Sequence, residues 1–448
     1  MFVGRKKELK FLEDNFAREE DRLLVVYGHK GVGKSSLMFR FAQGKKLSYY
    51  AARPCSGKEQ LFLWGQELGM EGADSFDAVF SRIAQERGEE KLLLVIDEFQ
   101  YLIKYADDFM QALARFRSSL AGACMIVLLS SSTSFVETDF VPRIGQLALS
   151  IGSFYKLQEL GFMDCVNYFR NYSTRQCMEV FSILGGIPAY WKAFDPSRSP
   201  KENIIAGILE KDAPLREEGE RIVSAELREL NVYCTLLGGL ASGRNKLNDL
   251  HLQTGYSRAK ISVYLRNLME RELVEKVFSF DNASGINAKK GVYRVGLRYL
   301  EFYFRFLYGK QSALQSLPAG EFYERYVEPE LPDFHQKHFY KVCAEYLEIL
   351  NQNRMLPIRA DKSGEWVGKN GSIDIVLQNE EGESILAFCE WGKEEIGMEE
   401  LRHYLQTARE ARLTPDHLYL FATGAFSEEL KAYTEEHKNL RLIDIDTL

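Results

Sequence analysis

The sequence predicts an α/β, multidomain protein built on a parallel sheet that carries a phosphate-binding loop. Three observations lead there. The apolar run Leu23-Leu24-Val25-Val26-Tyr27 passes straight into Gly28-His29-Lys30-Gly31-Val32-Gly33-Lys34-Ser35, which opens into the helical stretch 36–42. Strand, glycine-rich loop and helix in that order are what a P-loop requires. A second apolar run, 92–96, marks a strand buried on both faces and ends in the adjacent carboxylates Asp97 and Glu98. Finally, 448 residues that are 46% hydrophobic and 27% charged make several domains, each able to bury its own core.

The elements follow in order. Residues 1–20 read as a helical lead-in with Leu9, Leu12 and Phe16 on one face. In the glycine loop, backbone N–H groups turn inward, and the new helix presents its positive end to the same anion. Gly28, Lys30, Gly31, Val32, Gly33, Lys34, Ser35 and Ser36 are therefore the candidate nucleotide-binding set. Lys34 is placed to reach the β- and γ-phosphates of ATP and the Ser35 hydroxyl to ligate Mg²⁺. A strand at 47–51 and largely helical structure over 57–88 come next. Asp97 then completes the Mg²⁺ shell and Glu98 polarises the attacking water, the plainer alternative being a helix cap. The strand 125–129 ends in Ser130-Ser131-Ser132-Thr133-Ser134, where Ser130 and Ser131 are either γ-phosphate sensors or members of a serine-rich turn. Arg143 is read as a solvated loop arginine rather than a phosphate ligand.

Domain boundaries are placed at 1–155 for the P-loop core, 156–222 for a helical lid and 223–310 for a winged helix-turn-helix. A proline-bearing linker is expected at 311–333 and a terminal α/β domain at 334–448. Within 223–310, helices are expected at 227–240, 247–252 and 258–270, the last capped by Ser257. Ile261, Val263, Tyr264, Leu265 and Leu268 face inward, leaving Arg258, Lys260, Ser262 and Arg266 outside. Strands at 274–278 and 291–295 flank a polar loop holding Lys289 and Lys290, the wing. Residues 225–310 hold 14 Lys/Arg against 8 Asp/Glu in a chain of net charge −7, which tips this module toward double-stranded DNA rather than a protein partner. The aromatic stretch 297–307 is read as a helix packed into a core rather than as a base-stacking platform.

Seven scattered cysteines without paired spacing read as reduced core residues, and no apolar run approaches the roughly 20 residues that span a bilayer. With no signal-peptide core at the N-terminus, the expectation is a cytoplasmic protein without membrane contact. The oligomeric state is left open.

Phe2-Val3-Gly4-Arg5, the P-loop, Val95-Ile96-Asp97-Glu98-Phe99-Gln100 and Leu184-Gly185-Gly186-Ile187-Pro188-Ala189-Tyr190 together resemble the archaeal-type ATPases of the STAND branch of the AAA+ superfamily. The resemblance implies an ATP- and Mg²⁺-dependent switch, with Arg5 near the adenine and Pro188 in a turn that contacts the nucleotide. It also implies a C-terminal restriction-endonuclease-like domain. A nuclease of that fold needs an Asp on one strand and Glu-x-Lys on the next, because alternate residues share a face. Asp374 is in place, but Phe388-Cys389-Glu390-Trp391 stands where family members often read Glu-Cys-Lys-Trp. Lys393 has the wrong parity unless Gly392 makes a bulge, so Asp374, Glu390 and Lys393 are read as a degenerate nuclease site. The readings carried forward are a slow ATPase switch, a DNA-binding regulator with little hydrolysis, and an ATP-gated nuclease.

Overall fold

The apolar runs of the first third become the strands of one parallel sheet. The computed structural model describes residues 2–120, 122–282, 291–368 and 371–447. Lys289 and Lys290 lie outside the described residues. The chain divides into two compact units: Met1–Leu160 with Ile187–Ala189, and Gly161–Gly186 with Tyr190–Leu448.

The first unit holds α1 (Lys6–Phe16), β1 (Arg22–Tyr27), α2 (Lys34–Phe41), β2 (Lys46–Ala51), α3 (Gly57–Glu67) and α4 (Phe76–Arg87). It continues with β3 (Leu92–Asp97), α5 (Gln100–Tyr105), α6 (Phe109–Ser119), β4 (Cys124–Ser130), α7 (Val141–Ile144) and β5 (Ser153–Lys156). The strands pair in parallel in the order β2-β3-β4-β1-β5. Every residue of β3 and β4 is buried, as their unbroken apolar runs require. One face packs Trp64, Phe80 and Phe109, with Tyr50 stacked on Trp64 at 4.2 Å, and the other packs Leu12, Met38 and Phe41. The edge strand β5 escaped the sequence reading because its four residues alternate only weakly in burial.

The second unit begins with α8 (Phe162–Tyr168) and α9 (Thr174–Leu184); α10 (Pro188–Trp191) straddles the two units. Then come α11 (Pro200–Ile204), α12 (Glu218–Glu226), α13 (Leu230–Ala241), α14 (Leu247–Thr254), α15 (Arg258–Glu270), and the antiparallel pair β6 (Val274–Val277) and β7 (Val292–Val295). Three helices are thus followed by a two-stranded hairpin, and Ser257 caps α15 by accepting from the Lys260 N–H. The helix expected at 227–240 starts at Leu230 instead, since Leu227 is extended and ends α12. Val263 does not face inward. Two positions past Ile261 it sits about 200° round the helix, and it is 52% exposed.

The linker expected at 311–333 is also corrected. After the buried helix α16 (Arg298–Phe302) come α17 (Gln311–Ser316), α18 (Ala319–Tyr326) and the 22-residue α19 (Leu331–Gln352). Phe322 and Val327 are fully buried there. The prolines that suggested a linker start helices instead: Pro318 is the N-cap of α18, and Pro332 lies in the first turn of α19. The aromatics of 297–307 are buried as expected, with Tyr299, Phe302, Tyr303 and Phe306 all within the core.

The chain ends in β8 (Lys362–Val367), β9 (Ser372–Gln378), β10 (Ser384–Glu390), β11 (Glu395–Ile396), α20 (Met398–Glu410), β12 (His417–Ala422), β13 (Ala425–Phe426), α21 (Glu428–Glu436) and β14 (Leu440–Asp444). They build a mixed sheet in the order β14-β12-β10-β9-β8. Its edge strand β8 meets the β6–β7 hairpin. Arg294 on β7 makes a two-pronged bond to Glu365 at 2.6 and 2.7 Å, and the Ser279 hydroxyl accepts the Val367 N–H at 3.0 Å.

Candidate nucleotide-binding site

The site forms where β1 hands over to α2. Gly28 leaves no room for a side chain, since a Cβ there would stand 2.4 Å from the Leu157 carbonyl oxygen. Gly31 adopts φ +85°, open to glycine at little cost, and a Cβ there would crowd Ala189 at 2.9 Å and Ile187 at 3.0 Å. The three residues Ile187–Ala189 thus lie on the loop, and the Ala189 N–H donates weakly to the Gly31 carbonyl at 3.3 Å. This segment contains Pro188.

Lys34 is buried, and its ammonium donates to the Gly28 carbonyl at 2.8 Å and the His29 carbonyl at 3.0 Å. Burial lowers its pKa from the ordinary lysine value, while the nearby Glu98 and Asp97 charges oppose the fall. The Ser35 hydroxyl donates to Asp97 Oδ2 at 2.6 Å, so the two proposed metal ligands already touch. Asp97 Oδ1 accepts the Glu98 N–H at 2.9 Å. Lys30 and Ser36 are exposed, and Val32 is buried in the core beneath the loop.

Glu98 carries φ +53°, a left-handed conformation that a non-glycine residue adopts only when its surroundings demand it. Its Oε2 accepts from the Gln100 amide at 2.6 Å, the Ser131 hydroxyl at 2.7 Å and the Ser131 N–H at 3.1 Å. Of the two sensor candidates, only Ser131 reaches the carboxylate pair. The Ser130 hydroxyl is turned into its own loop, accepting the Ser132 N–H, while its carbonyl takes the Gly28 N–H.

Two members of the site were not foreseen. The Tyr49 phenol donates to Asp97 Oδ2 at 2.7 Å, and burial followed by that bond pushes its pKa above the ordinary tyrosine value. Gln100 is buried, with its Oε1 lacking a partner among the described residues. Gln100 ends the run 95–100, where nothing in the spacing distinguishes it from a helix-start residue. Tyr49 pairs with Val95 on the neighbouring strand, two positions before Asp97 and so on the same face, a relation only the sheet pairing reveals. Arg5 braces the loop from behind, donating to the Val32 carbonyl at 2.9 Å and pairing with Glu8 at 3.1 Å. Arg143 is exposed on α7.

In the second unit, Arg258, Lys260 and Arg266 stand exposed on α15. Asp374 and Glu390 share one face of adjoining antiparallel strands, but Lys393 does not join them. The chain turns at Gly392, with φ +82°, and Lys393 pairs with Glu400 at 2.7 Å. Phe388 is stacked on Tyr404 at 4.3 Å, and the Tyr404 hydroxyl bonds Glu390. Among the described residues no group of three His, Cys, Asp or Glu side chains is arranged to hold a metal, and no helix is long and apolar enough to cross a membrane.

A parallel sheet, a glycine loop on a helix start and a carboxylate pair at the tip of β3 define a P-loop nucleotide-binding domain. Comparison with known proteins agrees. A model of the AAA domain matches residues 17–133, and a model described as archaeal and bacterial proteins of unknown function matches residues 303–402. The chain thus matches an AAA domain within its first third and the second model within its C-terminal half. It is 24% identical over 392 residues to an uncharacterized protein of Methanocaldococcus jannaschii, MJECL04, covering 86% of each chain. It is 43% identical over 47 residues to an uncharacterized ATP-binding protein of the same archaeon, MJ0423, covering 10% of this chain and 80% of that one. Among solved structures it is similar to the Walker-type ATPase PABY2304 of Pyrococcus abyssi (18% identity, 68% of this chain and 96% of that one, TM-score 0.48). The ORC2 protein of Aeropyrum pernix is a further neighbour, with 13% identity, 70% and 94% coverage and a TM-score of 0.43.

Proposed function

We propose that the protein is a Mg²⁺-dependent ATPase that works as a slow conformational switch and passes the state of its nucleotide to a winged-helix module. The residues present fit that cofactor pair. Glycine-lined amides and Lys34 would hold the phosphates, and Ser35 and Asp97, already hydrogen-bonded, would hold the metal. When bound, Mg²⁺ supplies charge neutralisation of the phosphates. Glu98 accepts a proton from, or orients, the attacking water, while Ser131 and Gln100 fix its carboxylate.

One observation carries the switch. The chain leaves the first unit at residue 160, returns for Ile187–Ala189 against Gly31, and leaves again. A change in the loop therefore pulls on covalent connections running into the second unit on both sides. The exposed Arg258, Lys260 and Arg266 on α15 support double-stranded DNA as the partner of that module. The pairing of Lys393 with Glu400 and the burial of Phe388 support a terminal domain without nuclease activity.

ATP turnover with and without duplex DNA, alongside gel-shift binding in the ATP, ADP and nucleotide-free states, tests this reading. Hydrolysis that depends on Glu98, with DNA affinity differing between ATP and ADP, is expected. Equal DNA affinity in all three states would remove the coupling. Persistent cutting of DNA with Mg²⁺ or Mn²⁺ would restore the nuclease reading.

A further inference from the structure

The second unit contains a cavity of about 500 Å³ between β7, the first half of α19 and the β8–β9 edge, within the size range of small-molecule pockets. Lys337 and Lys341 border it from α19, four residues apart and so on one helix face. Lys337 bonds the buried Glu301, and Lys341 pairs at 3.1 Å with Glu275, which is 43% exposed. An ammonium carries three donors, so each lysine keeps N–H capacity for an anion. The Lys341–Glu275 pair is half-exposed and so stabilises only modestly, and a ligand anion can replace Glu275 on Lys341.

Asp374 borders the same cavity from β9. Its Oδ2 accepts the Cys389 N–H at 2.9 Å, whereas Oδ1 has no partner among the described residues. Burial, with Glu390 and Glu365 nearby, pushes this carboxyl up to about 7. Such a group gains most from an N–H donor that arrives with the ligand. His338, 3% exposed, also borders the space with Nδ1 unpartnered among the described residues, and Tyr293 adds an aromatic ring.

We propose that this cavity is a second nucleotide site, independent of the P-loop, that takes a nucleoside monophosphate. The phosphate lies on Lys337 and Lys341, the exocyclic amine of the base donates to Asp374 Oδ1, and the base lies along Tyr293. Each end of the ligand answers a capacity the wall leaves open. A simple anion uses the lysines but not Asp374, and a simple amine meets the ammonium groups without a counter-charge. Carboxylates read base amines, and bases stack on tyrosine.

The test is calorimetric titration of the full chain carrying Lys34→Ala with AMP, GMP, CMP, UMP and inorganic phosphate, each alone. The expected result is one-to-one binding of at least one of AMP, GMP and CMP. UMP, which lacks the exocyclic amine, and inorganic phosphate should bind about tenfold or more weakly. Lys341→Met should weaken the tight ligand at least about tenfold, and Asp374→Asn should shrink the preference over UMP. Should the Lys34→Ala chain fail to fold, the wild type saturated with Mg²⁺-ATP serves, because the second site must bind without competition. The proposal is overturned if none of the amine-bearing nucleotides binds, if inorganic phosphate binds as tightly, or if Lys337→Met with Lys341→Met leaves the affinity unchanged.

Discussion

Replacing Glu98 by Gln separates binding from chemistry at the P-loop. The glutamine fits the same space and tolerates the same φ +53° backbone, so the loop itself is undisturbed. The three donors that converge on Glu98 Oε2, from Gln100 and both groups of Ser131, decide how the new amide sits. Its oxygen must turn toward them, because the opposite orientation sets N–H against N–H at each contact. The –NH₂ then occupies the place of Oε1, and a group that accepted a proton becomes one that donates. Loss of a positioned general base slows a reaction by about 10²–10⁴, or roughly 3–5 kcal/mol of barrier. Phosphate contacts come from other residues, so ATP affinity should stay within about twofold. Phosphate release under saturating ATP measures the first quantity and titration with a fluorescent ATP analogue the second. Turnover within about threefold of wild type would show that Glu98 is not the water-activating group.

Further outcomes follow from the same geometry. Gly28→Ala sets a methyl 2.4 Å from the Leu157 carbonyl and should destabilise the first unit by about 1–3 kcal/mol and abolish nucleotide binding, read by thermal unfolding with and without ATP. Arg294→Met strands the mostly buried Glu365, which should cost about 2–4 kcal/mol, while Arg294→Met with Glu365→Leu should recover most of it; a urea-melt double-mutant cycle measures both. The folded Asp374 carboxyl, at about 7 against an ordinary 3.8, binds its proton more tightly than the unfolded chain. The stability it lends is thus full below about pH 4 and lost as pH rises through 7, so Asp374→Asn should flatten that decline and raise the melting temperature at pH 8. Identical pH profiles for variant and wild type would contradict the assignment.

The nucleotide site was legible because its chemistry is local. A glycine loop needs consecutive residues, and the Asp97-Glu98 pair ends a strand whose apolar run announces its burial. What the sequence concealed is what distant segments supply. Tyr49 meets Asp97 only because β2 pairs with β3 in that register, and Ser131 rather than Ser130 meets Glu98 because one hydroxyl is spent on its own turn. The misplaced linker has a similar cause: Pro318 and Pro332 punctuate equally well as breaks or as helix starts, and buried Phe322 and Val327 decide for helices. The cavity beside Asp374 was beyond reach for the same reason, since its walls come from a hairpin, a helix and a sheet edge far apart in the chain.

Nucleotide affinity of Lys34→Ala tests the central claim most directly. The Lys34 ammonium now rests on the Gly28 and His29 carbonyls, inside the ring of amides that would face the phosphates. Removing a charged donor to phosphate costs about 1.5–3 kcal/mol, so ATP should bind at least about tenfold more weakly to the variant while its fold is retained. An unchanged dissociation constant for ATP would mean that the triphosphate does not sit at the start of α2.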